Sequence, residues 1–536
     1  MIMKKISEIV PIIGTLISST LFFGCLQETF PTDVATQKQV QNSANATEYL
    51  LGAITTQAKS IYDDNPYSWG YGAIMHVRDA MTADLATLSY QNWDWFWYWT
   101  DCQEIGAPWA ITQFIWEWQY QYVLTTNNVI GLVNLEKATD FQKGALAIAY
   151  ANRAMIYLDL ARMYEFLPND KTVGKSDTGK NITGLTVPIV KAGMDQQQMA
   201  NNPRATKEEM VKFIKEDLDN AEKYMKYVTD TKEHTFPDMA CVEGLRARLY
   251  MWIEDYPNAK KYARLAIEKS SVPIMTKEDC LDTKKGFNDI SKWMWGVQYT
   301  DQDAGLNSEW SNWTSWMSNE VKYGYAAKGA TQMIGKSMYD RISNNDWRKL
   351  EFKAPEGSPL YDKVPFLNAT YKKKLPAYAS LKFRPNKGDD ENFKVGQASA
   401  YPIMRIEEMY FIEAEAAAHI NFAEGKKLLE QFMKTRNNKY KCKAKTKNDL
   451  VEEIVFQKRV ELWGEGQSFF DIKRLNYSVT RGYTGTNFVP EVRLNSKGRP
   501  AWMNFVIVDK EIMSNSILQN QNNPDPSDKY SLWIGK

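Results

Sequence analysis

Residues 239–269 read MACVEGLRARLYMWIEDYPNAKKYARLAIEK. Gly244, Ala247 and Tyr250 recur every three positions and lie on one helix. Asp255-Tyr256-Pro257-Asn258 turns the chain, and Ala259, Ala263 and Ala266 lie on the next helix. Small residues facing a large aromatic, then a short proline turn, then alanine every three or four positions is the pattern of a tetratricopeptide-like helical hairpin.

The same texture extends in both directions. In KGALAIAYANRAMIYLDLARMYEF (143–166), Leu146, Tyr150, Ala154, Tyr157, Ala161 and Tyr164 recur at threes and fours. Nearly every other position is also apolar or small, which predicts a helix buried on most sides. In 206–227, Thr206 with Glu209 forms a capping-box pattern, and Met210, Ile214, Leu218, Ala221 and Met225 make one stripe. A fourth unit reads YPIMRIEEMYFIEAEAAAHI (401–420) and FAEGKKLLEQFMKTRNN (422–438). The prediction is an all-α fold, a tetratricopeptide-like helical-hairpin scaffold with long loop-rich insertions. Degenerate pairs are expected near 143–226, 239–269 and 401–438, with one N-terminal pair within about 42–135. The residues from 42 to 536 read as one domain, with helical repeats about 42–270 and 401–480. Residues 271–400, rich in Gly, Asn, Ser, Lys and Trp, read as an insertion, and 481–536 as an irregular tail.

The amino terminus reads as an export signal. Lys4 and Lys5 precede a mostly apolar run from Ile9 to Phe23, too short to span a bilayer. Gly24-Cys25 at its end resembles a bacterial lipobox. Residues 1–24 are expected to be a lipoprotein signal peptide, Cys25 the lipidated residue, and 25–41 a polar tether; two acyl chains suffice for stable anchoring.

Composition narrows the function. Lys+Arg 66 against Asp+Glu 65 leaves a formal charge of +1, without the basic surplus a nucleic-acid binder uses to displace counterions. Hydrophobic content of 44% and charged content of 24% exclude a disordered chain and a polytopic membrane protein. Cys102, Cys241, Cys280 and Cys442 form no CxxC, and His76, His234 and His419 have no HxxxH spacing, so no metal or other cofactor is expected. Pairing among the four cysteines stays open.

Several segments together resemble the SusD/RagB family of outer-membrane nutrient-uptake lipoproteins. Trp118-x3-Tyr122 followed by Thr126-Asn127-Asn128-Val129-Ile130 resembles the family's Trp/Tyr helix, and 143–166 its AxxxRAxxYxxLxxxYG helix. Asn202-Pro203-Arg204-Ala205-Thr206 through Asp217-Leu218-x2-Ala221 is similar to PRxT…DLxxA. Residues 290–299 resemble a strand of the family. Met404-Arg405-x-Glu407 through Glu413-Ala414-Glu415-Ala416 is similar to its lRyaExyLixAEA helix. Lys458-Arg459-x-Glu461 through Asp471-x2-Arg474 resembles ERRxELxxEGxRxxDLxR, and Lys510-Glu511-Ile512 through Gln519-Asn520-Gln521-Asn522 resembles its tail. Lys458 and Gln467 replace usual arginines, and the tail lacks a final Pro-Gly, which marks a divergent member. The resemblance implies a cell-surface, lipid-anchored, non-catalytic protein. It would bind oligosaccharide or polysaccharide and deliver it to a SusC-like TonB-dependent transporter. Peptide or another nutrient is the alternative cargo, and a helical-barrel glycoside hydrolase the remote one.

Arg459, Glu461, Glu465, Asp471 and Arg474 alternate in sign at helical spacings. We read them as a structural ion-pair network closing the scaffold rather than as acid/base machinery.

The aromatic content carries the functional signal. Of 18 Trp, seven fall in 91–123 and five in 293–316. Trp118, Trp252, Trp293, Trp295 and Trp463 lie on scaffold elements and are assigned to the core. Trp93-Asp94-Trp95-Phe96-Trp97-Tyr98-Trp99 suits either a strand with its indoles on one face or an irregular loop. Sugar rings stack C–H faces on aromatics and need polar partners for their hydroxyls. By position in the resemblance, the glycan-binding candidates are Trp93, Trp95, Trp97, Trp310, Trp313, Trp316 and Tyr323, with Asp94, Asn312 and Arg78 as polar partners. The two segments are expected to meet on one exposed face.

Overall fold

The computed structural model describes residues 41 and 43–535, apart from 64, 89–93, 230–232, 285 and 304–307. The expected signal peptide, Cys25, nearly all of the tether and Trp93 lie outside the described residues.

Helix makes up about half of the chain. The long helices are α1 (Ala44–Ala58), α2 (Tyr71–Ala80), α3 (Ala110–Leu132), α4 (Asp140–Tyr164), α5 (Lys207–Met225), α6 (Met239–Trp252), α7 (Tyr256–Lys269), α8 (Ile406–Ile420), α9 (Phe422–Met433), α10 (Lys447–Glu461) and α11 (Ser468–Arg474). The capping box at Thr206 forms: Glu209 N–H donates to the threonine hydroxyl at 3.2 Å and Thr206 N–H to the glutamate at 2.8 Å. In the hairpin of α6 and α7, Asp255 caps α7, Pro257 sits in its first turn, and Ala259, Ala263 and Ala266 are fully buried. Helices adjacent along the scaffold pack in succession: α1 on α3, α3 on α4, α4 on α5, α6 on α7, α7 on α8, and α8 on α9 and α10. This is the all-α, tetratricopeptide-like architecture expected from the repeats.

One boundary differs. Residues 401–404 are not helical; Ala400–Met404 is strand β4, antiparallel to β2 (Trp295–Gln298). Proline at 402 cannot donate in a helix interior. In the sheet it sits opposite Gly296, beside a register shift between Trp295 and Gly296, where the missing N–H is tolerated. The other sheet pairs β1 (Leu85–Leu88) with β3 (Thr331–Ile334). Both sheets stitch the insertion to the scaffold.

The carboxyl end of α10 is held by buried cations. Helix ends leave carbonyls unsatisfied and attract positive charge. Arg405 Nη2 donates to Glu461 O at 2.7 Å, Lys382 Nζ to Glu461 O at 3.0 Å and Trp463 O at 2.9 Å, and Arg348 Nη1 to Gln457 O at 3.1 Å. The Glu461 carboxylate accepts from Arg436 at 2.8 and 3.0 Å and from Arg348 at 3.2 Å. Glu465 accepts from Arg405 at 2.9 Å and Lys382 at 2.7 Å. The neighbouring arginines hold the Glu461 carboxyl well below its ordinary range against the opposing effect of burial. Nearby, Arg459 pairs with Asp84, and Arg474 with Glu415 and Asp471. Lys458 stands where the family pattern has arginine and still pairs with Asp471 at 2.9 Å. The sign-alternating motif is thus structural.

Two further arginines fasten distant segments through carbonyls. Arg481, in the tail, donates to Ala80 O at 2.9 Å, Thr82 O at 2.8 Å and Thr100 O. Arg204 donates to the carbonyls of Tyr164, Leu185, Thr186 and Gln521 and to Asn523 Oδ1. With no carboxylate among these acceptors, burial pulls its guanidinium down to about 9.

Asp79, on α2, is fully buried; burial, reinforced by Asp84, pushes its carboxyl up to about 8 although Gly466 N–H donates to it at 2.7 Å. It is protonated in the folded chain and ionised in the unfolded chain above about pH 4. Folding therefore takes up a proton between pH 4 and 8, and stability falls as pH rises through that window, by at most ~1.4 kcal/mol per pH unit. Asp79→Asn should remove this slope and be the more stable form near pH 8. Denaturant midpoints from pH 5 to 8 check it; parallel profiles for both proteins would refute the assignment.

Candidate functional site

The two aromatic segments do meet, mostly inside the protein. Asp94 Oδ1 accepts from Phe96 N–H at 3.0 Å and opens a turn into the short helix Trp97–Asp101. Asn312 caps the helix Trp313–Met317, accepting from Ser315 N–H at 3.1 Å. These turns bring Phe96 and Trp316 edge to face at 4.6 Å, with His76 packed edge-on against Phe96 at 4.4 Å. Trp313 stacks on Tyr401 at 5.0 Å and meets Trp69 edge-on at 6.2 Å.

Several site expectations change accordingly. Trp313 and Trp316 are at most 1% exposed, because the helix between Asn312 and Met317 turns them onto the scaffold, so neither offers a free ring face. Trp316 Nε1–H is used on Pro66 O at 3.2 Å and Trp310 O at 3.1 Å. Tyr323 is buried against Val321, Ala326 and Phe393 and donates its hydroxyl to Asp389 O. Asp94 and Asn312 are buried in the local turns they form. Arg78 is buried away from the aromatic segments, donating to Asp159 at 2.7 Å with the Tyr71 hydroxyl 3.4 Å away. The uncompensated cost of burying a guanidinium explains that pairing.

What reaches the surface is a smaller aromatic edge. Trp95 is 38% exposed and lies close enough to act on the Tyr325 hydroxyl. Tyr325 stacks on Trp316 at 4.0 Å with 12° between planes, and half-buried Trp310 meets it edge-on at 5.0 Å. Gly324 makes that placement possible: its φ is +70°, and a Cβ would lie 2.7 Å from Ser315 Oγ. Tyr67 lies behind Trp95 at 6.3 Å, and exposed Lys328 hangs 5.7 Å from the Trp310 ring. Trp97 does not join this edge. As the first residue of its helix it turns away, packing with Ala86, Met333, Phe488 and Val492, whereas Trp95 stays in the turn before the helix.

Trp95 and Trp310 are therefore the sequence candidates that the fold brings together with ring area in solvent. Tyr67 and Lys328 are the partners that spacing did not single out, while Tyr325 lies at the end of the second aromatic segment. The stretch Pro66-Tyr67-Ser68-Trp69-Gly70-Tyr71 carried a signal for Tyr67, since Pro, Ser and Gly interleaved with aromatics read as a turn presenting rings.

The titratable rings of the aromatic base stay neutral. Burial lowers His76 to about 3, so its imidazole stays neutral. Burial raises Tyr67 and Tyr325 to about 12, leaving both hydroxyls intact as donors. Among the described residues no cluster of His, Cys, Asp and Glu could hold a metal, and no helix is long and apolar enough to cross a membrane. Cys102, Cys241, Cys280 and Cys442 are free and buried.

Comparison with known proteins gives two family matches: the SusD family over residues 298–524, and a family described as starch-binding associating with outer membrane over 29–251. No curated protein matches significantly. Among solved structures, a SusD-like carbohydrate binding protein from Bacteroides vulgatus is 21% identical, with 90% of this chain and 98% of that one aligned at a TM-score of 0.67. A SusD superfamily protein from Bacteroides thetaiotaomicron is 17% identical over 90% and 99%, TM-score 0.69. A laminarin binding SusD-like protein is 16% identical over 90% and 99%, TM-score 0.63. At these identities the likeness is one of fold.

The two classes of indole should separate in stability. Trp316→Ala removes a fully buried ring and should cost ~3–5 kcal/mol. Trp95→Ala should cost much less, about 1 kcal/mol, because more than a third of its surface is already in water. Urea unfolding of both variants tests this; equal losses would place Trp95 in the core.

Proposed function

The chain belongs to the SusD family, and from that premise we propose that it is a cell-surface lipoprotein that binds a glycan without transforming it and passes it to a SusC-like TonB-dependent transporter of the outer membrane. The observation that carries the glycan reading is the edge formed by Trp95 and Trp310 around Tyr325. Two ring systems from segments far apart in sequence stand partly free on a rigid aromatic base. Ring faces meet sugar C–H faces, while the Tyr325 hydroxyl and the Lys328 ammonium can reach a hydroxyl rim. A base of packed rings keeps the site rigid, so little conformational freedom is lost on binding. The laminarin-binding relative supports a polysaccharide as the cargo class.

Affinity electrophoresis through a panel of soluble polysaccharides, followed by calorimetry on the retained one, tests the reading. By analogy with base stacking on aromatics, worth ~1–3 kcal/mol per ring, Trp95→Ala and Trp310→Ala should each weaken binding about tenfold. Trp97→Ala, packed away from the edge, should bind as wild type. Retardation by no polysaccharide, or unaltered affinity in both edge variants, would overturn it, and binding of peptides alone would assign the alternative cargo.

The anchor is tested separately. Cys25→Ala should no longer fractionate with outer membrane, and retention of that variant at wild-type levels would refute lipidation at Cys25.

A further inference from the structure

Away from the aromatic edge, a cavity of about 250 Å³ opens where α4, α6, α8 and α11 converge with the segment carrying Arg499. At ~30 Å³ per water, it has room for a small solute and its hydration. Its walls are unusually rich in cations, and most of these have partners. Arg248 is bidentate with Glu408 at 2.5 and 2.8 Å. Lys207 pairs with Glu165 at 3.1 Å, Arg162 with Asp159 at 2.6 Å, and Lys458 and Arg474 with Asp471.

Two cations are left over. Lys473 is 2% exposed, and its ammonium donates to Met163 O at 2.8 Å. Arg499 donates through Nε to Asn476 Oδ1 at 3.1 Å. Among the described residues neither has a carboxylate within salt-bridge distance. The acids that act on them are Glu165, already engaged by Lys207 and by the Trp252 indole N–H at 2.8 Å, and, for Arg499, Glu254 in the same wall. In addition, Nη1 of Arg248 is buried without a hydrogen-bond partner, and Arg248 is itself a wall of the cavity. Positive crowding is felt across the site. Burial, with Arg499, Arg204 and Lys207 against the pull of Glu165, holds the Lys473 ammonium well below its ordinary value. Burial, aided by Arg248 and Arg78, also lowers the Arg162 guanidinium although Asp159 opposes it.

Buried cations with unused N–H groups around a solute-sized space are a receptor for negative oxygen. We propose that this cavity binds one small oxyanion, a phosphate, a sulfate or a carboxylate, held by Lys473, Arg248 and Arg499. The bound anion would cross-link the tail segment and α11 to α6 on the scaffold. Apolar Ile412 and Phe470 in the wall limit the site to an anion of modest size.

Calorimetry at constant ionic strength tests this, titrating sodium phosphate, sodium sulfate and sodium glucuronate into the full chain against a chloride control. One saturable site should appear for at least one of the three. Phosphate or sulfate binding assigns an inorganic oxyanion, whereas glucuronate alone assigns an acidic sugar. Lys473→Met removes the charge and keeps the packing; Arg499→Gln, at a partly exposed position, guards against a variant that fails to fold. Loss of one charge-assisted hydrogen bond should weaken binding at least about tenfold in either variant. Trp95→Ala should bind the anion normally, which separates this site from the glycan edge. Absence of saturable binding above chloride, or unaltered affinity in both cation variants, would overturn the proposal.

Discussion

The carboxyl end of α10 is the constraint on which the remaining structure depends. Arg348 and Lys382 from the insertion, Arg405 from the start of α8 and Arg436 from the end of α9 all converge on Glu461, Glu465 and nearby carbonyls. Each of these charges would be costly alone in the interior. Together they satisfy one another and the helix terminus. Because the partners come from four separate stretches of chain, the network fixes how insertion and scaffold dock. Replacing any single member leaves others buried without partners, so the arrangement specifies one geometry more than it adds net stability.

Much of this was legible in the sequence, and the illegible parts share a cause. The hairpin at 239–269 could be read because alanine periodicity and a proline turn are local signals that tertiary packing reinforces. The ion network could be read because its signs alternate at helical spacing within one segment. The strand at 401–404 could not, since its apolar run is equally compatible with a buried helix, and only the distant partner at 295–298 decides between them. The same limit governs the aromatics. Trp313 and Trp316 sit among Ser, Asn and Thr, which reads as an exposed loop. The polar residues cap a short helix instead, and that helix drives the indoles inward. Exposure is a property of what packs on top, and local composition does not report it. Trp95 and Trp97 illustrate the point: identical residues two positions apart, sent to different environments by one turn.

The buried rings still matter for binding. Phe96, Trp316 and Tyr325 form a column of edge-to-face and stacked contacts from the core to the surface. Trp95 and Trp310 are attached at its outer end. Close-packed aromatics have few alternative rotamers, so this column sets the orientation of the outer rings before any ligand arrives. The high Trp content thus divides into a majority that builds a support and a minority that meets solvent.

Arg204 has a consequence for how the protein comes into being. Its guanidinium is dissolved in backbone carbonyls, and two of its acceptors, Gln521 O and Asn523 Oδ1, come from the far end of the chain. A chain emerging amino terminus first can assemble the early helices from local contacts. It then holds a desolvated cation short of acceptors until residues 521–523 arrive, some three hundred positions later. Completion of the native state is thereby coupled to the docking of residues 521–523. A copy truncated before residue 521 would lack two of the acceptors of Arg204 and carry a defect in its interior.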